Sequence, residues 1–117
     1  MIPTQIEIVK RLSELSRMLD AATVEIAELD EAAVRAKAAY ESAHARAFLS
    51  AEGSVDARKM QATLLSADLW LQMEMAQALH RACRERIRTI GVQIEVGRSM
   101  SAATRSQFAA EAVGQYT

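Results

Sequence analysis

Along the first half of the chain, apolar side chains recur in an unbroken four-three rhythm: Ile8, Leu12, Leu15, Leu19, Ala22, Ile26, Leu29, Ala33, Ala36, Tyr40, Ala43 and Ala47. A repeat of 3.5 residues keeps one edge of a helix facing a partner. This row therefore predicts the seam of a long coiled-coil helix. Thr4-Gln5-Ile6-Glu7, after Pro3, reads as a capping box in which Thr4 and Glu7 satisfy each other's backbone N–H groups. No further proline or glycine occurs before Gly53, so helix one is expected over about 4–52.

Gly53-Ser54 is the one strong punctuation in the first ninety residues. Gly53 suits a left-handed position after a helix, Ser54 suits the next N-cap, and Asp56 complements the dipole of a new first turn. A tight reversal at 53–54 is expected, with helix two over about 55–97 and Gly91 a tolerated weak point. Helix two has its own seam: Ala62, Leu65, Leu69, Met73, Ala76, His80, Cys83, Ile87, Ile90, Ile94 and Gly97. The four-four step at Leu65-Leu69-Met73 reads as a stutter that locally relaxes the supercoil. Folded at the Gly-Ser turn, Tyr40 meets Leu69, Ala36 meets Met73, Leu29 meets His80, Ile26 meets Cys83, Ala22 meets Ile87, Leu19 meets Ile90 and Leu15 meets Ile94. Small residues then often face large ones, which fills a seam without voids. The apolar pattern stops after Gly97. Arg98-Ser99-Met100-Ser101 reads as a connection, and Ser101 as the cap of a short C-terminal helix over about 102–113, closed by Gly114. The expected fold is all-α, a single domain: a long antiparallel coiled-coil hairpin plus a short C-terminal helix.

A second apolar stripe lies on helix two away from the seam: Leu64, Leu71, Met75, Ala78 and Ala82, with Trp70 and Leu79 widening the arc. A helix apolar on two sides is normally buried on two sides. Burying Trp70, Leu71, Leu64 and Met75 in a partner is worth roughly 10 kcal/mol gross at 25 cal/mol per Å². The pattern therefore predicts a homo-oligomer with helix two inside and an interface of Leu64, Trp70, Leu71, Met75, Ala78 and Ala82. A dimeric four-helix bundle is the default, and a trimer or larger ring stays open. The alternative is that the short C-terminal helix covers the stripe within the same chain.

Composition narrows the chemistry. The chain has 117 residues, 14 basic and 15 acidic side chains and a formal net charge of −1, without the basic excess of a generic nucleic-acid binder. No secretory signal and no run of about eighteen apolar residues is evident. With its single cysteine, Cys83, the chain is expected in a cytoplasmic, reducing setting and away from membranes. His80 and Cys83 share a helical face, but zinc needs three or four protein ligands, so both read as seam residues. Glu25, Glu28, Asp30 and Glu31 lie on several faces of helix one and point to water. No Gly-rich phosphate loop, Ser/His/Asp set or Cys-x-x-Cys occurs. No catalytic residue, metal site or cofactor is expected.

Arg81, Arg84, Arg86 and Arg88 are the densest charge cluster. Arg81, Arg84 and Arg88 share one outward face and, with Arg98 and Arg105, are candidates for contact with a nucleic-acid phosphate or a nucleotide. Ion pairs compete: Glu25 is the expected partner of Arg86, and Glu85 lies within helical reach of Arg81 and Arg88.

Ala51-Glu52-Gly53-Ser54-Val55-Asp56-Ala57-Arg58 and Ile94-Glu95-Val96-Gly97-Arg98-Ser99 resemble segments of small, uncharacterised helical proteins of tailed phages infecting actinobacteria. The resemblance covers most of the chain and implies a phage or prophage protein made in the host cytoplasm. It implies an accessory role, in DNA metabolism or in countering host defence, and supplies no activity. The reading from the residues is a non-enzymatic interaction or scaffold protein whose partners are itself and another protein. The rival is nucleic-acid or nucleotide binding through the arginines.

Overall fold

The computed structural model describes residues 2–114. Among them there are three helices and no strand: α1 (Gln5–Ser50), α2 (Val55–Leu65) and α3 (Ala67–Gly114). The fold is an all-α helical hairpin. It comprises two compact units, Met1–Val24 with Glu85–Thr117 and, separately, Glu25–Arg84.

In the first unit the start of α1 carries the anticipated capping box. The Thr4 N–H donates to Glu7 Oε2 at 2.9 Å, and the Glu7 N–H donates to Thr4 Oγ1 at 3.2 Å. Leu15, Ala22, Ile90 and Ile94 form the buried core, with Leu12, Leu19 and Ile87 packed against it. These are the residues that the antiparallel register brings together. One further step of the same register places Leu12 against Gly97. A Cβ on Gly97 would fall 2.6 Å from Leu12 Cδ2, so hydrogen at this position is what lets α1 and α3 approach.

Gly91 and Gly97 of α3 therefore predict opposite results. Nothing lies within 4 Å of a Cβ on Gly91. Gly91→Ala should stabilise the helix by about 0.5–1 kcal/mol. Gly97→Val should destabilise by about 1–2 kcal/mol, because overpacking outweighs the propensity gain. Thermal unfolding of both variants checks this; equal stabilisation would mean that α1 and α3 do not touch there.

In the second unit the reversal is built as the sequence suggests. Gly53 adopts φ 106°, the one positive φ among the described residues. Ser54 is the N-cap of α2, its hydroxyl accepting the Ala57 N–H at 3.2 Å. Two side chains of α2 reach back to carbonyls just past the end of α1: Arg58 Nε donates to Ala51 O at 3.0 Å, and Gln61 Nε2 to Glu52 O at 2.9 Å. Helix ends leave carbonyls unsatisfied, and these bonds cap α1 without a further turn. Arg58 also lies over the Phe48 ring, 5.3 Å from its centroid.

Three expectations are corrected. First, α1 ends at Ser50 rather than 52. Second, helix two is not one helix over 55–97, because Ser66 interrupts it between α2 and α3. Ser66 is 1% exposed, whereas the expected seam residue Leu65 is 75% exposed. The Ser66 hydroxyl and backbone N–H both donate to Ala62 O, at 2.6 and 3.1 Å. Such back-bonding to the i−4 carbonyl bends or breaks a helix. With Ser66 in place of Leu65, the row Ala62, Ser66, Leu69, Met73, Ala76, His80 keeps four-three spacing, so there is no stutter.

Third, residues 102–113 are not a separate helix. α3 runs through Gly97 and the supposed connection to Gly114. Arg98 pairs with Glu95 at 2.9 Å, and Thr104 Oγ1 donates to Met100 O at 2.9 Å, both within one helical turn. The seam continues in polar form at Ser101, which is buried and accepts a hydrogen bond from Gln5 Nε2 at 2.9 Å.

Candidate functional site

The apolar stripe sits on α2 and α3 in the second unit and is bare. Leu64 is 71%, Leu71 52% and Met75 59% exposed, and Ala78 and Ala82 are exposed as well. Trp70 is about half exposed, and beside it Trp70, Ala67, Thr63 and Tyr40 line a groove of about 290 Å³. The alternative in which the C-terminal residues cover the stripe is overturned: no described part of the chain buries it, and those residues belong to α3 itself. On α1, Arg17, Glu28, Glu31 and Arg35 are exposed, with Arg35 held to Glu31 at 2.7 Å, and Val24 is exposed among them.

The first unit has an apolar groove that the sequence reading did not anticipate. Ile8, Leu12 and Leu15 of α1 face Val92, Val96 and Met100 of α3 across a space of about 330 Å³. Val92 and Val96 repeat at the stripe's helical spacing, but ending helix two at residue 97 hid their continuity with Met100.

Four of the candidate anion-binding arginines separate into two kinds. Arg88 lies 3.5 Å from Glu85, and Arg98 lies 2.9 Å from Glu95, so each carries a neighbouring carboxylate. The side chains of Arg81 and Arg84 make no hydrogen bond or ion pair among the described residues. Both line a groove of about 310 Å³ together with His80 and with Lys37 of α1. Lys37 escaped the sequence reading because it lies on the other helix; only the hairpin register brings it to α3. His80, a quarter-exposed seam residue, has its Nε2 3.5 Å from Asp30 Oδ1. This is the polar neighbour that a seam histidine requires.

Cys83 is buried on the seam. Among the described residues no three His, Cys, Asp or Glu side chains are grouped to hold a metal ion. Among them also, no helix is long and apolar enough to cross a membrane. No protein-family model matches the sequence, and no curated protein or solved structure matches it significantly.

Proposed function

We propose that the protein is a non-enzymatic, self-associating helical scaffold, and that copies join through the stripe Leu64, Trp70, Leu71, Met75, Ala78 and Ala82. The observation that carries this reading is the stripe's exposure, continuous at helical spacing along α2 and α3. Exposed apolar patches of this kind mark interaction surfaces. The exposed charges Arg17, Glu28, Glu31 and Arg35 favour α1 as the solvent face, with α2 and α3 turned inward in the assembly. A closed two-fold dimer is the simplest arrangement. On the resemblance described above, the scaffold would serve as a phage or prophage accessory in the host cytoplasm and present its remaining surface to another protein.

The test is the mass of the wild-type chain across a dilution series, by light scattering. A multiple of 12.8 kDa is expected at micromolar chain concentration, falling on dilution. The lone tryptophan, Trp70, reports the same event: its emission should shift to the red as it returns to water. A constant 12.8 kDa mass at every concentration would refute the scaffold reading.

A further inference from the structure

We propose that the groove between Lys37 and the pair Arg81 and Arg84 is a binding site for a compact phosphate anion, a diphosphate group carried free or on a nucleotide. It is independent of self-association, since none of its residues belongs to the apolar stripe.

Three cationic side chains from two helices line one depression. Arg81 and Arg84 stand three residues apart on one helix, where like charges repel. Among the described residues no carboxylate neutralises either guanidinium. Lys37 has only Glu41, at the 4.0 Å limit of an ion pair. The one carboxylate in the groove, Asp30, lies against His80. The arrangement is thus a cationic depression whose repulsion an incoming anion relieves. Planar guanidinium groups match phosphate oxygens in paired hydrogen bonds, and the ammonium adds a point charge.

Size and surroundings select a compact ligand over a nucleic-acid strand. A space of about 310 Å³ is at the small end of ligand sites. A strand needs a basic track along the surface. Here Glu28, Glu31, Glu41 and Glu74 occupy the same helices near the groove in sequence, and the net charge is −1. A long polyanion meets repulsion on leaving the groove, whereas a diphosphate ends inside it.

The experiment is calorimetric titration of the full chain with pyrophosphate, with ADP and with a short single-stranded DNA. Saturable pyrophosphate binding is expected in the wild type. Arg81→Gln and Arg84→Gln should each weaken it roughly tenfold, the loss of a charged hydrogen bond. The paired arginines supply the control: Arg88→Gln with Arg98→Gln should leave binding within about twofold, since neither lines the groove and each has a carboxylate of its own beside it. All four side chains are exposed, and circular dichroism will verify that each variant keeps its helices. ADP binding tighter than pyrophosphate would identify a nucleotide as the carrier; equal affinities would identify the free anion. The proposal is overturned by absent pyrophosphate binding at millimolar concentration, by equal weakening in the control pair, or by DNA binding more tightly than either small ligand. These readouts do not depend on the mass measurement, so either proposal can fail alone.

Discussion

The double substitution Trp70→Ala with Leu71→Ala is expected to split the assembly into single hairpins, weakening association by roughly a hundredfold or more. Both side chains are half exposed in the isolated chain, so their truncation removes little from the hairpin's own core. The two are neighbours within the stripe, Trp70 is its largest side chain, and large central anchors carry most of an interface's energy. In a two-fold assembly every substitution counts twice, once from each copy. Alanine also has the higher helix propensity, so helicity should hold or rise while mass falls. That combination separates lost association from lost folding. Val9→Ala with Val24→Ala supplies the control, removing exposed apolar area from α1 instead. It should leave the mass unchanged if α1 faces solvent. A double variant of Trp70 and Leu71 that keeps the wild-type mass would place the interface elsewhere, with the groove of Val92, Val96 and Met100 the next surface to test.

The sequence expressed the hairpin through apolar side chains, and it was legible where the seam is apolar. All twelve predicted seam positions of α1 are buried or half-buried. The turn was legible because Gly53 and Ser54 each do something few other residues do: one adopts a positive φ, the other caps through its hydroxyl. The register followed from the turn, and the Leu12–Gly97 approach extends it by a step. Where the seam becomes polar, hydropathy loses it. Ser66 is buried because its hydroxyl is satisfied within its own helix. Ser101 is buried because Gln5 reaches it. Neither partner is visible to a search for apolar spacing, so exposed Leu65 stood in for Ser66, and α3 seemed to stop at Gly97. The stripe was legible for the same reason as the seam. The cationic groove was only half legible: the arginines cluster in sequence, but Lys37 joins them only through folding.

Leu15→Ala should cost about 3–4 kcal/mol of folding stability, and Leu65→Ala less than about 0.5 kcal/mol. The same chemical deletion is made in both, so the contrast isolates burial. Leu15 is 2% exposed within the cluster of Ala22, Ile90 and Ile94. Removing its isobutyl group forfeits the transfer free energy of the lost carbons and leaves a cavity, since Leu12 is already pressed against Gly97 and has little room to move in. Leu65 projects into solvent, so its truncation removes few contacts and slightly improves helix propensity. Urea unfolding followed by circular dichroism at one fixed chain concentration measures both, the fixed concentration keeping any assembly term constant. A third variant makes the comparison more specific. Ser66→Leu places a large side chain at the buried seam position and removes the hydroxyl bond to Ala62, so it should destabilise by about 1–3 kcal/mol. If Leu65→Ala instead proved the costly change and Ser66→Leu were tolerated, the seam would run through Leu65, and the stutter read from hydropathy would be real.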